Sequence, residues 1–315
     1  MNLFFFGCRG STPVSGAEYQ RYGTATSCVG IGRGTATSFC EAAAAKSAPH
    51  LVLDAGTGFV NLERVLDGEP FRGSVCITHL HWDHTHGLPF LREAYMEGHR
   101  VDIYVPGQGD AGDAETVMNR AFSPPHFPVP VGTLGDAWSV TGIEPGTFEL
   151  EGFRIDAREI PHKGSRTFGY RVSDGVTSIA YLPDHKPLAL GPGPEGLGEH
   201  HPAALALAEG VDLLIHDSQH TAAEMPRLAF LGHSAVEYAV GLGVAAGARA
   251  VALFHHDPHR TDDQIDELVS KLAAPGVRVF AAREGMVLSL GPRERDAREV
   301  GAKVGPALDH AERSR

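Results

Sequence analysis

Long apolar runs are missing from this sequence. Nowhere among its 315 residues do the roughly 18 uninterrupted apolar side chains of a membrane-spanning helix occur. The apolar start, from Met1 to Gly7, is short, has no positive stretch before it and no small-residue cleavage site after it. It therefore reads as a first strand and not as a leader, which places the protein in the cytoplasm. Cysteine is sparse as well. Cys8, Cys28, Cys40 and Cys76 lack C-x-x-C spacing and lie in or beside strand-like segments, a pattern that suits buried free thiols better than a disulfide framework. Positive charge is the third shortage. The formal net charge of −12 disfavours the broad basic surface that long nucleic acids require, and it leaves a small anion to be attracted by bound cations alone. The 42% hydrophobic content is ample for a packed core. No repeat or linker divides the chain, so residues 1–290 read as one domain, and the charged, alanine-rich residues 291–315 read as a tail.

What the chain does have is histidine. Four of its 18 histidines, His79, His81, His84 and His86, fall with Asp83 inside eight residues. The run follows Ser74–Thr78, whose β-branched Val75, Ile77 and Thr78 read as a buried strand. Ligand-type residues at i, i+2, i+4 and i+5 do not share a helix face, so only a curled loop leaving that strand can bring them together. Neutral imidazoles and an ionised carboxylate are the groups that zinc, manganese and iron accept.

The same arrangement recurs along the chain. Leu51–Leu53 leads to Asp54, the alternating Phe153–Ala157 runs toward His162, and Thr177–Leu182 delivers Asp184. Val211–Ile215 ends at His216 and Asp217, and Ala250–Phe254 ends at His255 and His256. Strand ends of this kind can line one edge of a sheet and converge. Helical character is expected from residue 87 to 98, with Leu91, Ala94 and Tyr95 on one face, over 202–210, and over 235–240 with Ser234 as N-cap. Residues 106–135 contain Ser123–Pro130, too proline-rich for an element interior, and read as a loop over the site, with His126 a candidate substrate contact. In the turn-rich Gly7–Pro13, Arg9 is a candidate phosphate contact; pairing with a surface acid is the alternative.

The H-x-H-x-D-H pattern of residues 79–84 resembles the signature of the metallo-β-lactamase superfamily, and the later pieces follow it in order over about residues 1–290. The resemblance implies an α/β fold, a four-layer αββα sandwich whose halves lie before residue 106 and after residue 148. Carried over residue by residue, it gives His79, His81 and His162 to one metal ion and Asp83, His84 and His255 to a second, with Asp184 bridging. His255 is preferred to His256 because the family's last ligand comes directly off its strand, and His86 lies beyond the motif. Asp54 would support the ligand loop by hydrogen bonds. The cofactors implied are two divalent ions, Zn2+ first, with Mn2+ or Fe2+ as alternatives. Such a pair, roughly 3.5–4 Å apart, brings a shared water near neutrality and stabilises the oxygens on both sides of an in-line displacement.

Gly232-His233-Ser234 and Leu213–Asp217 resemble segments of transfer RNA 3′-processing nucleases and of related cyclic-phosphate phosphodiesterases. In that branch the histidine donates a proton or hydrogen bond near the phosphate and a carboxylate orients it. This gives His233 and Asp217 catalytic roles beside Asp83, with Asp217 standing where a glutamate is more familiar. The opening Phe6–Pro13, with Arg21-Tyr22-Gly23 and Thr26-Ser27-Cys28, is similar to a bacterial group of phosphoribosyl cyclic phosphodiesterases. A nuclease of this branch would carry a long arm between its ligand histidine and bridging aspartate, where this chain has 21 residues. The function expected is cleavage of a small, cyclic phosphodiester through a metal-bridging hydroxide. A carboxylic ester, lactone or β-lactam hydrolase on the same metals, or a nucleotide-sensing module without turnover, are the alternatives. The partner expected is a small-molecule phosphodiester, with no long nucleic acid and no membrane; a homodimer stays open.

Overall fold

The computed structural model describes residues 1–131, 134, 137–272, 274 and 276–291. Its strands in chain order are β1 (Asn2–Gly7), β2 (Cys28–Gly32), β3 (Leu51–Leu53), β4 (Arg72–Cys76), β5 (Arg100–Pro106) and β6 (Trp138–Ile143). After them come β7 (Gly146–Leu150), β8 (Phe153–Ile160), β9 (Thr167–Ser173), β10 (Ser178–Leu182), β11 (Leu213–Asp217), β12 (Ala250–Phe254), β13 (Arg278–Ala281) and β14 (Val287–Ser289). They form two seven-stranded sheets, ordered β14-β1-β2-β3-β4-β5-β6 and β13-β12-β11-β10-β9-β8-β7. Strands β3 to β6 run parallel, as do β10 to β13.

Side-chain alternation builds the layers. Along β1, Leu3 and Phe5 face one way and Phe4 and Phe6 the other, as a period of two requires. Leu3 and Phe5 enter a core shared by both sheets, with Tyr170, Tyr181, Ile215 and Phe254 opposite. Phe4 and Phe6 pack outward on helices α1 (Phe39–Ala44) and α2 (Glu63–Leu66). The far face of the second sheet is covered in the same way. The chain is therefore an α/β sandwich of four layers, as expected. Truncating a fully buried phenylalanine such as Phe5 to alanine costs about 3–5 kcal/mol.

Several local expectations change. Residues 87–98 form two separate 3-10 turns, Leu88–Phe90 and Arg92–Tyr95, because Pro89 opens the first and Leu91 is extended between them. The 106–135 segment is not all loop, since α4 (Ala114–Asn119) lies within it after α3 (Trp82–Thr85) in the histidine run. Helices α5 (Pro202–Ala208), α6 (Met225–Leu228), α7 (Val236–Ala245) and α8 (Asp262–Lys271) follow. Ser234 does not cap α7; its hydroxyl donates to the carbonyl of Asp217 instead. Cys8, Cys28 and Cys76 are buried free thiols whose pKa burial raises, but Cys40 is exposed on α1. No helix among the described residues is long and apolar enough to cross a membrane. The tail expected from 291 lies, beyond its first residue, outside the described residues.

Candidate metal centre

The strand directions place the site. β8 and β10 are both antiparallel to β9 and so point the same way, and β10, β11 and β12 are parallel. Their C-terminal ends share one edge, which faces the loop leaving β4. Two left-handed residues sharpen the delivery. Asp54 (φ 58°) after β3 and His255 (φ 60°) after β12 both take a conformation that side chains larger than glycine adopt rarely, and such outliers cluster at functional sites. Gly10 seats against the His255 ring, where any Cβ would collide with the imidazole.

Two clusters of ligand-type atoms meet at Asp184. In the first, His79 Nε2 lies 2.9 Å from His81 Nδ1, and His162 Nε2 lies 3.4 Å from that same atom. His79 and His162 are 3.4 and 3.2 Å from Asp184 Oδ2. In the second, Asp83 Oδ2 is 3.2 Å from His84 Nε2 and 3.1 Å from His255 Nε2. His84 and His255 approach Asp184 Oδ1 to 3.2 and 2.9 Å. One carboxylate thus divides its two oxygens between two sets of three side chains. The atoms of each set lie within 4.8 Å of one another, the spacing of groups able to hold an ion. Despite these short approaches, neither Asp184 Oδ1 nor His84 Nε2, both buried, makes a well-directed hydrogen bond, and a divalent ion would satisfy them.

The electrostatics agree. Burial would raise the carboxyls of Asp83 and Asp184, but the surrounding histidines outweigh it and hold both well below the usual range. Burial lowers His255 and His84, yet the aspartates overcome it, lifting His84 well above its ordinary value and His255 to about 10. At the other cluster burial dominates, leaving His81 at about 4 and His162 at about 3, neutral at pH 7.

Supporting groups fix each ring. Asp54 accepts from Thr78 N–H at 2.7 Å, His84 Nδ1 at 2.8 Å and the Tyr181 hydroxyl at 3.0 Å, so it orients the ligand loop as expected. His162 Nδ1 donates to the Gly232 carbonyl at 2.8 Å. His255 Nδ1 meets Gln219 Oε1 at 3.1 Å, and Ser11 N–H donates to Asp83 Oδ2 at 2.7 Å. Gln219 and Ser11 were not singled out in the sequence. An amide two residues past a strand carries no signal until the neighbouring strand is known.

His233 and Asp217 stand beside the clusters. His233 Nδ1 is 3.1 Å from Asp217 Oδ2, and Asp217 also accepts from the backbone N–H groups of Ser234, His185 and Gln219. Burial would raise the Asp217 carboxyl, but His233 and His255 keep it low. His233 lines a cavity of about 410 Å³ with Ser11, His81, Asp83, Lys163 and Gln219. His256 is turned away onto the Ala282 carbonyl at 2.8 Å, so His255 is the residue the structure brings into the cluster.

The two substrate candidates fare differently. Arg9 is fully buried, its guanidinium held by Asp262 at 3.2 Å and by the carbonyls of Gly23 and Arg260 at 2.8 Å each. It is not free to meet a phosphate, and its acid partner is buried rather than at the surface. His126 is exposed and lines a neighbouring cavity with Trp82 and His86.

Known proteins share this architecture. Ribonuclease Z of Salinibacter ruber is 26% identical over 274 residues, covering 72% of this chain and 81% of that protein. Ribonuclease Z of Halobacterium salinarum is 27% identical over 254 residues, covering 67% and 79%. Among solved structures, a diphosphatase of the PhnP family superposes with a TM-score of 0.64 at 18% identity, covering 92% of this chain and 98% of that one. The metallo-beta-lactamase fold protein YhfI from Bacillus subtilis gives 0.61 at 18%, covering 91% and 98%. Residues 50–256 match the family model of the beta-lactamase superfamily domain, and the chain belongs to that superfamily as a hydrolase of the metallo-β-lactamase fold.

Proposed function

We propose that this protein is a dinuclear metal-dependent phosphodiesterase that cleaves a small, cyclic phosphodiester. His79, His81 and His162 would hold one divalent ion and Asp83, His84 and His255 the other, with Asp184 giving one oxygen to each; the all-nitrogen and oxygen donor set suits Zn2+, with Mn2+ or Fe2+ as alternatives. When bound, such a pair supplies Lewis acidity and a water activated at neutral pH. The observation that carries the reading is the His233–Asp217 pair. Cleaving a diester expels an alkoxide, which needs a proton, and His233 stands in the cavity outside both ligand sets with Nδ1 anchored on an ionised carboxylate. That anchor leaves Nε2 to hand over the proton, and Asp217 stabilises the doubly protonated ring that does so.

The small substrate is supported by how residues 163–183 are used. β9 and β10 take up 12 of them, joined by the turn at Asp174–Thr177, and the net charge is −12. A second reading, cleavage of RNA, is favoured by the ribonuclease Z relatives. The test is metal analysis followed by a substrate panel on the loaded protein. About two ions per chain and turnover of cyclic phosphodiesters, without 3′-end cleavage of precursor transfer RNA at physiological salt, are expected. One ion or fewer under replete conditions overturns the dinuclear site. Preferred turnover of a lactone, ester or β-lactam overturns the phosphodiester, and specific transfer RNA cleavage overturns the small substrate.

A further inference from the structure

The cavity beside His233 has a lip built from two short stretches. One is Lys163, between His162 and Gly164; the other is the 3-10 turn Ala229–Leu231, which Gly232 ends in the left-handed region at φ 99°. Lys163 and Leu231 both line the cavity together with His162 and His233, so the lip belongs to the reactive space itself. Gly232 is what lets the two stretches close. Its carbonyl accepts from His162 Nδ1 at 2.8 Å, and a Cβ there would stand 3.0 Å from Lys163 Cβ. The base of the lysine is thereby fixed. Its tip is placed by Phe230, whose ring centroid lies 5.7 Å from Nζ, within cation–π range. Phe230 is 64% exposed and Leu231 39%, so two large apolar side chains stand in solvent at the rim of a polar cavity.

Charge singles out this lysine. Among the described residues lining the cavity it is the only lysine or arginine, while the carboxylates there, Asp83 and Asp184, turn to the histidines. The Lys163 ammonium makes no hydrogen bond or ion pair among the described residues. In a chain of net charge −12, a cation without an acid at the mouth of the cavity is open to an incoming anion, and an exposed aromatic face costs it little to leave. We propose that Lys163 binds a non-bridging oxygen of the substrate phosphate, the contact that Arg9, held in the interior, does not make. The proposal rests on the phosphodiesterase reading for its substrate. Lys163 determines specificity here: a phosphodiester carries a negative charge on its non-bridging oxygens, a carboxylic ester or lactone carries none, and a charge-assisted hydrogen bond discriminates between them. It binds and moves no proton, which stays the task of His233.

The test compares metal-loaded wild type with Lys163→Met, which keeps an unbranched stem and removes the charge; the side chain is exposed, so the change opens no void in the core. Dimethyl phosphate, followed by phosphorus NMR titration, reports binding without turnover. Its Kd should rise on the order of tenfold in Lys163→Met and return to within about threefold of wild type in Lys163→Arg, which restores the charge on a different geometry. In kinetics at matched metal content, the ratio of kcat/KM for bis(nitrophenyl) phosphate to that for nitrophenyl acetate should fall in Lys163→Met by the same factor, through KM of the diester. Equal losses on the two esters would show the residue acting through its neighbour His162, which overturns the proposal. An unchanged Kd with an unchanged ratio would leave Lys163 a solvated surface charge and overturns it too. A wild type that turns over the acetate and no diester sinks the phosphodiesterase reading, while the Kd series still decides the lysine.

Discussion

Replacing His233 by alanine separates acid catalysis from every other role the residue could play. The ring lies outside both ligand sets but near enough to Asp184 and His255, with ligand atoms mutually within 4.8 Å, to be a ligand itself. Its Nδ1 is 3.1 Å from Asp217 Oδ2, and without it Asp217 keeps three backbone donors. Folding should therefore lose no more than about 1–2 kcal/mol, one hydrogen bond's net contribution with a small void. A positioned acid contributes ~10²–10⁴ in rate, about 2.7–5.5 kcal/mol of barrier, and that loss applies in full to an alkyl or ribose diester. A nitrophenyl diester expels a stable phenolate that needs no proton. For it the loss should shrink to that of one hydrogen bond, about 0.5–1.5 kcal/mol or roughly 2- to 13-fold. The assay is kcat/KM on both substrates for wild type and His233→Ala at matched metal content. Equal losses on the two substrates would assign His233 to phosphate binding, a drop in metal stoichiometry would make it a ligand, and no loss on either would leave it structural.

Four further outcomes follow from the structure. Asp184→Ala should lose both metal occupancy and activity, since one carboxylate serves both ligand sets; metal analysis retaining two ions would refute the bridging role. Metal loading at pH 7 should release about two protons per chain, because neutral imidazoles must replace the protonated His84 and His255, the latter titrating at about 10. Calorimetry in buffers of different ionisation enthalpy measures this. The same raised values stabilise the metal-free chain fully below the unfolded histidine value of 6.5 and lose that contribution as pH rises toward 10, so its melting temperature should fall across that window and the loaded protein's should not. Arg9→Met should destabilise by about 3–5 kcal/mol, the cost of leaving Asp262 buried without its partner, with KM for a phosphodiester unchanged. A raised KM at intact stability would return Arg9 to the substrate.

What was legible in the sequence is what is local. His79, His81, Asp83 and His84 lie in one loop, and a strand followed by a ligand-type residue singles out Asp184 and His255, which the structure brings to that loop, because both facts sit within a few residues. Arg9 shows the limit: its partner Asp262 is 253 positions away, and nothing near Arg9 announces that its charge is spent in the interior. Ser234 fails for a related reason, since a serine before a helix reads as a cap until a strand 17 residues upstream supplies the carbonyl it prefers. Gln219 and Ser11 give no local signal because each acts on a ring or carboxylate delivered by another strand of its own sheet, far away in sequence. The helix Ala114–Asn119 was hidden by the prolines that follow it.

The division of the ligands between the two sheets also orders events in time. Four of the seven proposed ligands come from the loop after β4, while His162, Asp184 and His255 come from the second sheet, with Asp83 and His255 172 positions apart. A nascent chain that has made only β1 to β6 would capture an ion weakly, on histidines alone for one cluster and without the shared carboxylate. Full loading has to wait until the second half has been synthesised and has docked. Contacts this distant in sequence form late and slowly, and ions held by both sheets stabilise the docked state by mass action. Under the proposed dinuclear assignment, metal occupancy would be a record of completed folding, and starving the cell of metal should leave chains whose two sheets separate more readily than they unfold.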